Sequence, residues 1–306
     1  MRIRLIALDI DDTLTGRDHT ISAGNRAAIA EARAAGVEVI LITGRRYRGS
    51  AERFTAELAL GTPTYCYCGA SVIRPDGVVD EHRPLPFNLA LDIARFCHEG
   101  GLPLQAYLDD IIYGEPPVEE YRRWLEGLGI RFAEHAVIPD LATLFIDQGR
   151  PPTQLVPLGP AAVEAVRERF GALSAGEDAG PSPDGDSGDY GPLQMYLHDP
   201  GTVLVRLTIL KGGVNKGEAL ARHCRRFGFD RGEVAALGDS AMDVPMIAWA
   251  AHGVAMNTAP DFVKARAAMV APPGDDAAGL VIRRLLGSEP GLGRDPEQGN
   301  QASPQE

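Results

Sequence analysis

The sequence lacks most of the features that mark secreted and membrane proteins. Its 306 residues contain four cysteines, with no Cys-x-x-Cys pair, so neither a disulfide framework nor a zinc site is indicated. Cys66 and Cys68 stand two apart on a predicted strand and are interpreted as reduced, buried thiols. No apolar run approaches the ~20 residues that span a bilayer. Three acids (Asp9, Asp11 and Asp12) interrupt the apolar start too early for a signal peptide. We therefore predict a cytoplasmic protein without a membrane partner.

Positive charge is also scarce. The chain has 30 basic and 42 acidic residues, a net charge of −12, and much of the acidic excess lies in residues 174–191 and 287–306. Without a basic stripe, nucleic acid is not a predicted partner. The sequence lacks the Gly-Lys-Ser/Thr ending of a P-loop and the Gly-x-Ser-x-Gly elbow of many esterases. Neither a P-loop nucleotide-binding protein nor a serine esterase of that type is therefore indicated.

The two ends of the chain follow the same alternating pattern. Residues 3–9 and 37–43 are predicted strands on either side of a predicted helix over 22–35, which is a βαβ unit. A helix over 216–227 and a strand over 234–238 begin a second such series that continues to residue 286. This pattern predicts an α/β fold with a doubly wound, parallel, Rossmann-like sheet.

The middle of the chain does not alternate strictly between strand and helix. The predicted strands lie near 104–108, 111–113 and 153–157, with a long one over 202–210, and the predicted helices lie near 88–99, 117–128 and 160–170. We therefore predict a catalytic core from residues 1–83 plus 211–286 and an inserted α+β cap domain over 84–210. Within the cap, residues 174–191 are predicted to form a mobile acidic loop, and residues 287–306 a disordered tail.

Chemically active side chains recur where predicted strands end or helices begin. They are Asp9 and Asp11 after the first strand, Thr43-Gly44-Arg45 after the second, Lys216 at the start of a helix, and Asp239 with Asp243 after a later strand. Each has a structural explanation on its own, such as an Asp-rich turn, a helix cap or a solvated lysine. Open α/β sheets bind ligands at the carboxyl ends of their strands, so the four segments together predict one site.

In their order, these segments resemble the four motifs of the haloacid dehalogenase superfamily. The insert, together with Gly253-Val-Ala-Met-Asn257 and Ala259-Pro-Asp-Phe-Val-Lys264, resembles its Cof-type sugar-phosphatase branch, which has a large α/β cap. The resemblance covers residues 1–83 and 212–285. Two positions depart from the branch, because Met242 and Cys68 each stand where it typically has asparagine.

The resemblance implies a Mg²⁺-dependent phosphatase that acts on small phosphorylated metabolites through an aspartyl-phosphate intermediate. It makes Asp9 the nucleophile and a metal ligand. It makes Asp11 the general acid and base, with its carbonyl as a further ligand, and Asp239 a metal ligand that Asp243 supports. Thr43 and Lys216 are the predicted partners of the phosphoryl group. Gly44, Arg45 and Asn257 are the predicted substrate-binding residues.

These residue types suit the chemistry. The anionic oxygens of a phosphate monoester repel an attacking carboxylate, and Mg²⁺ and a lysine would cancel that charge from different sides. Asp11 must carry a proton to release the alcohol and then accept one from water. Neighbouring carboxylates are expected to raise its pKa for this purpose, although Lys216 and the metal oppose the rise.

Two other functions remain open at this stage. A phosphomutase of the phosphomannomutase type resembles this layout and shares the pair of acids. A non-catalytic phospholigand-binding protein is favoured slightly by Met242, although a binder has no need of a nucleophile. The sequence specifies neither the substrate nor the oligomeric state.

Overall fold

The structure is a computed structural model that describes residues 2–16, 18–128, 134–174, 192–199, 202 and 204–287. The predicted mobile loop and disordered tail lie outside these residues, apart from Ser174 and Gly287 at their edges. Within the described ranges, no helix has the length and apolar character that crossing a membrane requires.

Fourteen strands, numbered along the chain, occur in the described residues. They are β1 (Leu5–Leu8), β2 (Glu38–Ile42), β3 (Thr64–Cys66), β4 (Ser71–Ile73), β5 (Val79–His82), β6 (Leu104–Leu108), β7 (Ile111–Gly114), β8 (Ala136–Val137), β9 (Gln154–Pro157), β10 (Leu193–His198), β11 (Arg206–Lys211), β12 (Val234–Gly238), β13 (His252–Ala255) and β14 (Met269–Val270).

The α-helices of the same ranges connect and cover these strands. They are α1 (Ala23–Ala34), α2 (Glu52–Glu57), α3 (Phe87–Glu99), α4 (Pro116–Gly127), α5 (Leu141–Gln148), α6 (Gly159–Phe170), α7 (Lys216–Phe227), α8 (Val244–Trp249), α9 (Asp261–Lys264) and α10 (Ala277–Leu285).

Eight strands form the first sheet, in the order β14-β13-β12-β1-β2-β3-β4-β5. The pairs from β14 to β3 are parallel, and the hairpin of β4 and β5 adds two antiparallel strands at one edge. Alternate residues of β1 pack against different helices, with Ile6 and Leu8 in one buried cluster and Leu5 and Ala7 in another. This arrangement confirms the predicted doubly wound sheet.

The strand order reverses at β1, which has β2 on one side and β12 on the other. Chains that leave neighbouring strands in opposite directions open a crevice at the carboxyl edge of a doubly wound sheet. The ends of β1, β2 and β12 therefore share the edge where a ligand is expected.

The second sheet has six strands in the order β10-β11-β9-β6-β7-β8. All its pairs are antiparallel except the short pair of β7 and β8. Residues from α3, α5 and α6 share one buried cluster with alternate residues of this sheet. An α+β layout between the two halves of the first sheet is thus confirmed, and the exact domain limits stay a prediction.

A turn of the second sheet contacts the first half of the chain. Asp110, between β6 and β7, accepts hydrogen bonds from the backbone N–H of Tyr47 (3.0 Å) and the hydroxyl of Tyr67 (2.7 Å) through the same oxygen. Its other carboxylate oxygen accepts from the backbone N–H of Arg48. Tyr67 also meets Tyr107 edge to face, with ring centroids 5.8 Å apart. The two sheets therefore meet through specific polar contacts beside the loop that follows β2.

Several elements differ from the sequence prediction. The long strand predicted over 202–210 begins only at Arg206. Before it, the N–H of Thr202 bonds to the carbonyl of Asp199 and the N–H of Val205 to the carbonyl of Thr202, so these groups are not available for strand pairing. The prediction of Cys66 and Cys68 on one strand is wrong. Only Cys66 belongs to β3, and Cys68 follows it with φ +55°, although both thiols are buried.

Candidate active site

The ends of β1 and β12 bring two of the predicted acids together. The N–H of Asp9 donates to the carbonyl of Leu237 (3.1 Å), so the ladder between the two strands continues to the first residue after β1. β12 then turns tightly at Gly238, where a Cβ would lie 2.3 Å from the Cβ of Asp243. The turn therefore needs glycine, and it sets Asp239 and Asp243 beside Asp9.

A buried lysine joins this group from α7. The Asn215 side chain caps the helix by accepting from the N–H of Glu218 (2.8 Å), and Lys216 is the first helical residue. The lysine is 2% exposed, and its Nζ lies 2.6 Å from Oδ1 of Asp9 and 2.6 Å from Oδ1 of Asp243. Burial alone would lower the pKa of Lys216, but Asp243 and Asp9 raise it well above its usual value. The lysine is therefore a charged bridge between two carboxylates.

Asp243 uses its second oxygen to hold the loop that follows β12. This oxygen accepts from the N–H of Asp239 (3.2 Å), the N–H of Ser240 (3.0 Å) and the hydroxyl of Ser240 (2.7 Å). The side chain is completely buried. With both oxygens engaged, Asp243 positions Lys216 and Asp239 relative to Asp9.

Three carboxylates lie close together here, and one lysine contacts two of them. Asp9, Asp239 and Asp243 offer ligand atoms that all lie within 4.8 Å of one another. Burial, and after it Asp243, raise the pKa of Asp239 to about 7. Burial likewise raises the pKa of Asp9, an effect that Lys216 opposes and Asp243 reinforces. The cluster therefore lacks positive charge, and its oxygen donors fit a hard divalent cation such as Mg²⁺.

Asp11 points to a different partner. Both its carboxylate oxygens accept from Arg45, with Nε 2.7 Å from Oδ2, and the backbone N–H of Arg45 donates to the hydroxyl of Thr43 (3.2 Å). Thr43 is fully buried at the end of β2. The structure thus links Asp11, Thr43 and Arg45 in a second polar group next to Asp9.

The expected rise in the pKa of Asp11 is wrong for this arrangement. Burial does act to raise it, but the hydrogen bonds and charge of Arg45 more than offset burial and lower the pKa below its usual value. Lys216 adds to the lowering. The sequence predicted that these acidic and basic side chains share the carboxyl edge of one sheet. It did not indicate that Arg45 would bind Asp11.

The remaining predicted residues lie around these two groups. A Cβ on Gly44 would lie 2.9 Å from Cε of Met242, so the methionine packs directly over this glycine. Asn257 is exposed and lines a cavity of about 660 Å³ together with Asp12, Thr13 and Asp239. Asn257 therefore reaches the site from the side of Asp239, away from the contact of Arg45 with Asp11.

Two polar residues of the site were missed in the sequence. Thr13 donates from its hydroxyl to Oδ1 of Asp239 (3.2 Å), and Ser240 holds Asp243. Both stand next to predicted site residues in the sequence, since Thr13 is two residues after Asp11 and Ser240 directly follows Asp239. A hydroxyl residue so close in sequence to several aspartates could have indicated this role, because buried carboxylates need hydrogen-bond donors.

Comparison with known proteins agrees with this architecture. A family model for haloacid dehalogenase-like hydrolases matches residues 6–164 and 202–281. A haloacid dehalogenase-like hydrolase from Bacteroides thetaiotaomicron has the same fold, with a TM-score of 0.72 and 22% identity over 93% of this chain and 100% of that chain.

Two curated bacterial phosphatases are similar over most of the chain. The pyridoxal phosphate phosphatase YbhA of Escherichia coli is 31% identical over 88% of this chain and 93% of its own length. The 5-amino-6-(5-phospho-D-ribitylamino)uracil phosphatase YitU of Bacillus subtilis is 27% identical over 85% of this chain and 88% of its own. The residues that the family model matches include Asp9, Thr43, Lys216 and Asp239.

Proposed function

This chain belongs to the haloacid dehalogenase-like hydrolases, in their Cof-type branch, and is a phosphatase; we propose that it hydrolyses small phosphate monoesters through an aspartyl-phosphate on Asp9, with Mg²⁺ as cofactor. The observation that carries the proposal is the buried contact of Asp9 with Lys216, 2.6 Å between Oδ1 and Nζ. A phosphoryl group that enters beside them would find a nucleophile and a counter-charge at one point.

We assign the metal-binding role to Asp9 and Asp239, with the carbonyl of Asp11 as a third donor and the buried Asp243 supporting these ligands. When bound, Mg²⁺ would cancel charge on the phosphoryl oxygens and favour the ionised form of the carboxylates. The raised pKa values of Asp9 and Asp239 support this assignment, because an added cation would lower them again.

In the proposed reaction, a carboxylate oxygen of Asp9 attacks phosphorus and the bond from phosphorus to the ester oxygen breaks. Asp11 gives its proton to the departing oxygen, which leaves as the alcohol. Water then attacks phosphorus and passes a proton to Asp11, while the bond from phosphorus to Asp9 breaks. Inorganic phosphate leaves, and both carboxyl groups return to their starting states. Lys216 and the hydroxyl of Thr43 orient the phosphoryl oxygens throughout.

Arg45 must release Asp11 for this cycle to run. The bidentate contact with Arg45 favours the ionised form of Asp11, which cannot donate a proton. Phosphoryl oxygens are strong acceptors for a guanidinium group, so an incoming substrate would compete for Arg45 and free Asp11. Asp11 would then take up a proton from water before the ester bond breaks. Arg45 therefore has a substrate-binding role, in which binding of the phosphoryl group prepares the general acid.

The test of the function is metal-dependent release of inorganic phosphate. Protein stripped with EDTA and checked for residual metal should lose at least about 10²-fold in activity on p-nitrophenyl phosphate, and MgCl₂ should restore it. CaCl₂ should restore less, because Ca²⁺ favours longer bonds and more ligands. Undiminished activity in metal-free protein would contradict the proposed cofactor.

A second prediction concerns Asp11. Asp11→Asn cannot donate a proton, so it should lose about 10²–10⁴-fold with alkyl phosphates, which need general acid assistance. The loss should be far smaller with p-nitrophenyl phosphate, because nitrophenolate leaves without a proton. The measurement is kcat/KM on both substrates, because kcat/KM reports only the steps through phosphorylation of Asp9, whereas kcat also contains the later step in which Asp11 accepts a proton from water. Equal losses of kcat/KM on the two substrates would refute the general-acid role.

For the substrate, we propose phosphate esters of small ring-bearing alcohols, with pyridoxal 5′-phosphate as the first to test. The support is the similarity to YbhA and YitU, whose named substrates each carry a nitrogen heterocycle. A phosphomutase would isomerise its substrate without net phosphate release, and a phospholigand-binding protein would release none. The same assay separates these two alternatives from the proposed hydrolase. Residues 84–210 act as the cap in this proposal, and the cytoplasmic location stays a prediction from the sequence.

A further inference from the structure

The second sheet has two chemically different faces at its β10–β11 edge. Leu193, Met195 and Leu197 alternate with polar residues along β10, and they belong to or pack against the buried cluster shared with α3 and α6. The alternate residues of β10 point the other way, and one of them, Tyr196, belongs to the buried cluster of the first sheet. This second face is therefore turned toward the catalytic residues.

The strand register places four polar side chains on that face. Tyr196 lies opposite Thr208, and His198 lies opposite Arg206, in the antiparallel pair of β10 and β11. Nε2 of His198 lies 3.0 Å from the hydroxyl oxygen of Thr208. Directly opposite residues of such a pair project from the same side of the sheet. The edge thus presents an aromatic ring, an imidazole and a guanidinium group to the core.

A cleft of about 300 Å³ separates this face from the loop after β12. Its walls include Tyr196, His198 and Arg206 on one side and Asp239, Ser240 and Met242 on the other. The volume is at the lower end of what small-ligand sites have. Because Asp239 belongs to the acidic cluster, the cleft reaches the site where the phosphoryl group would bind.

The charges in the cleft indicate what it accepts. Arg206 is 47% exposed at its side chain, and its Nη1 pairs with Oδ2 of Asp199 at 2.8 Å. An exposed ion pair of this kind contributes ~0–1 kcal/mol, so a ligand oxygen can displace Asp199 at small cost. Burial, with Arg206 and Lys216 nearby, lowers the pKa of His198 to about 4. The imidazole is therefore neutral near pH 7 and adds no positive charge of its own.

We propose that this cleft binds the leaving alcohol and that Arg206 is a specificity-determining residue, selecting ring-bearing alcohols that carry an anionic or carbonyl oxygen. The oxygen would accept from the guanidinium group of Arg206, while the ring would lie between Tyr196 and Met242. This assignment rests on the proposed phosphatase function and adds to it a residue that distinguishes one ester from another. It also gives Met242 a role, because an apolar thioether suits the wall of a ring site.

The test compares Arg206→Gln with Arg74→Gln. Arg74 is a matched control, because its side chain is also 47% exposed and pairs with Asp76 at 2.7 Å, but it does not line the cleft. We expect Arg206→Gln to lower the ratio of kcat/KM for pyridoxal 5′-phosphate to that for phenyl phosphate, which has a ring but no such oxygen, by about tenfold or more, mainly through KM. Arg74→Gln should leave this ratio at the wild-type value. Arg206→Lys should recover part of the loss, since it keeps the charge without the fork of donors.

Product inhibition separates the two ends of the substrate. Free pyridoxal should inhibit Arg206→Gln about tenfold more weakly than wild type, whereas the inhibition constant of inorganic phosphate should not change. An unchanged substrate ratio, or equal changes in Arg206→Gln and Arg74→Gln, would overturn the assignment of the cleft. A wild-type protein that releases phosphate from no ester would instead contradict the proposed function itself.

Discussion

Asp9→Asn is expected to lose at least about 10³-fold in kcat on every phosphate ester, because an amide cannot replace the carboxylate as nucleophile. The fold should persist. Asparagine is nearly isosteric with aspartate, its carbonyl can still accept from Lys216, and Asp243 still pairs with the lysine. Burial opposes the ionised form of Asp9, so the neutral amide should leave the melting temperature of the metal-free protein equal to or higher than that of wild type.

The control is Asp147→Asn on α5. Asp147 is exposed and lines neither the cavity beside Asp239 nor the cleft beside Arg206. This variant should keep most of the activity. The decisive measurement is a rapid-quench search for acid-stable label on the protein from a ³²P-labelled ester, expected in wild type and missing in Asp9→Asn. Activity of Asp9→Asn within tenfold of wild type would rule out the covalent mechanism.

The catalytic core was predictable because local signals and the fold agree there. The predicted bounds of α7 and β12 match the structure at both ends, and β1 and β2 were found to within about two residues. Strand ends in a parallel sheet share one edge, so the meeting of Asp9, Lys216 and Asp239 follows from their positions at strand and helix ends.

The second sheet was less predictable. β10 was not predicted, although its residues alternate between apolar and polar. It closely follows the Gly- and Asp-rich residues 174–191, whose composition is typical of a loop. α5 was missed as well, being only eight residues long and capped at its start by Asp140. Short elements of this kind are fixed by packing against their neighbours more than by their own sequence.

Contacts between side chains that are far apart in the sequence could not be predicted. Nothing in the spacing of Asp110 indicated that it would bind Tyr67 and the backbone after Arg46. The pairing of Arg45 with Asp11 was hidden for the same reason, since either Arg45 or Lys216 was a suitable partner for that acid. Strand order sets which residues share an edge, and side-chain packing then sets which of them bind one another.

Lys216→Met should damage both stability and catalysis. Methionine has a similar length and fills the buried space, but Asp9 and Asp243 lose their common cation. Leaving buried charges without a partner costs ~3–5 kcal/mol, so the apparent free energy of unfolding in urea should fall by about that amount. The loss of a counter-charge for the phosphoryl group should lower kcat by about 10²–10³-fold in addition.

Two further variants separate these effects. Lys211→Met removes an exposed lysine at the end of β11 and should change the unfolding free energy by less than about 0.5 kcal/mol. The double variant Lys216→Met with Asp243→Asn removes one of the two stranded carboxylates, so it should regain much of the stability but none of the activity. Stability regained without activity would show that Lys216 neutralises buried carboxylates and also acts on the substrate. A Lys216→Met protein as stable as wild type would mean that Asp9 and Asp243 are not both ionised in the native state.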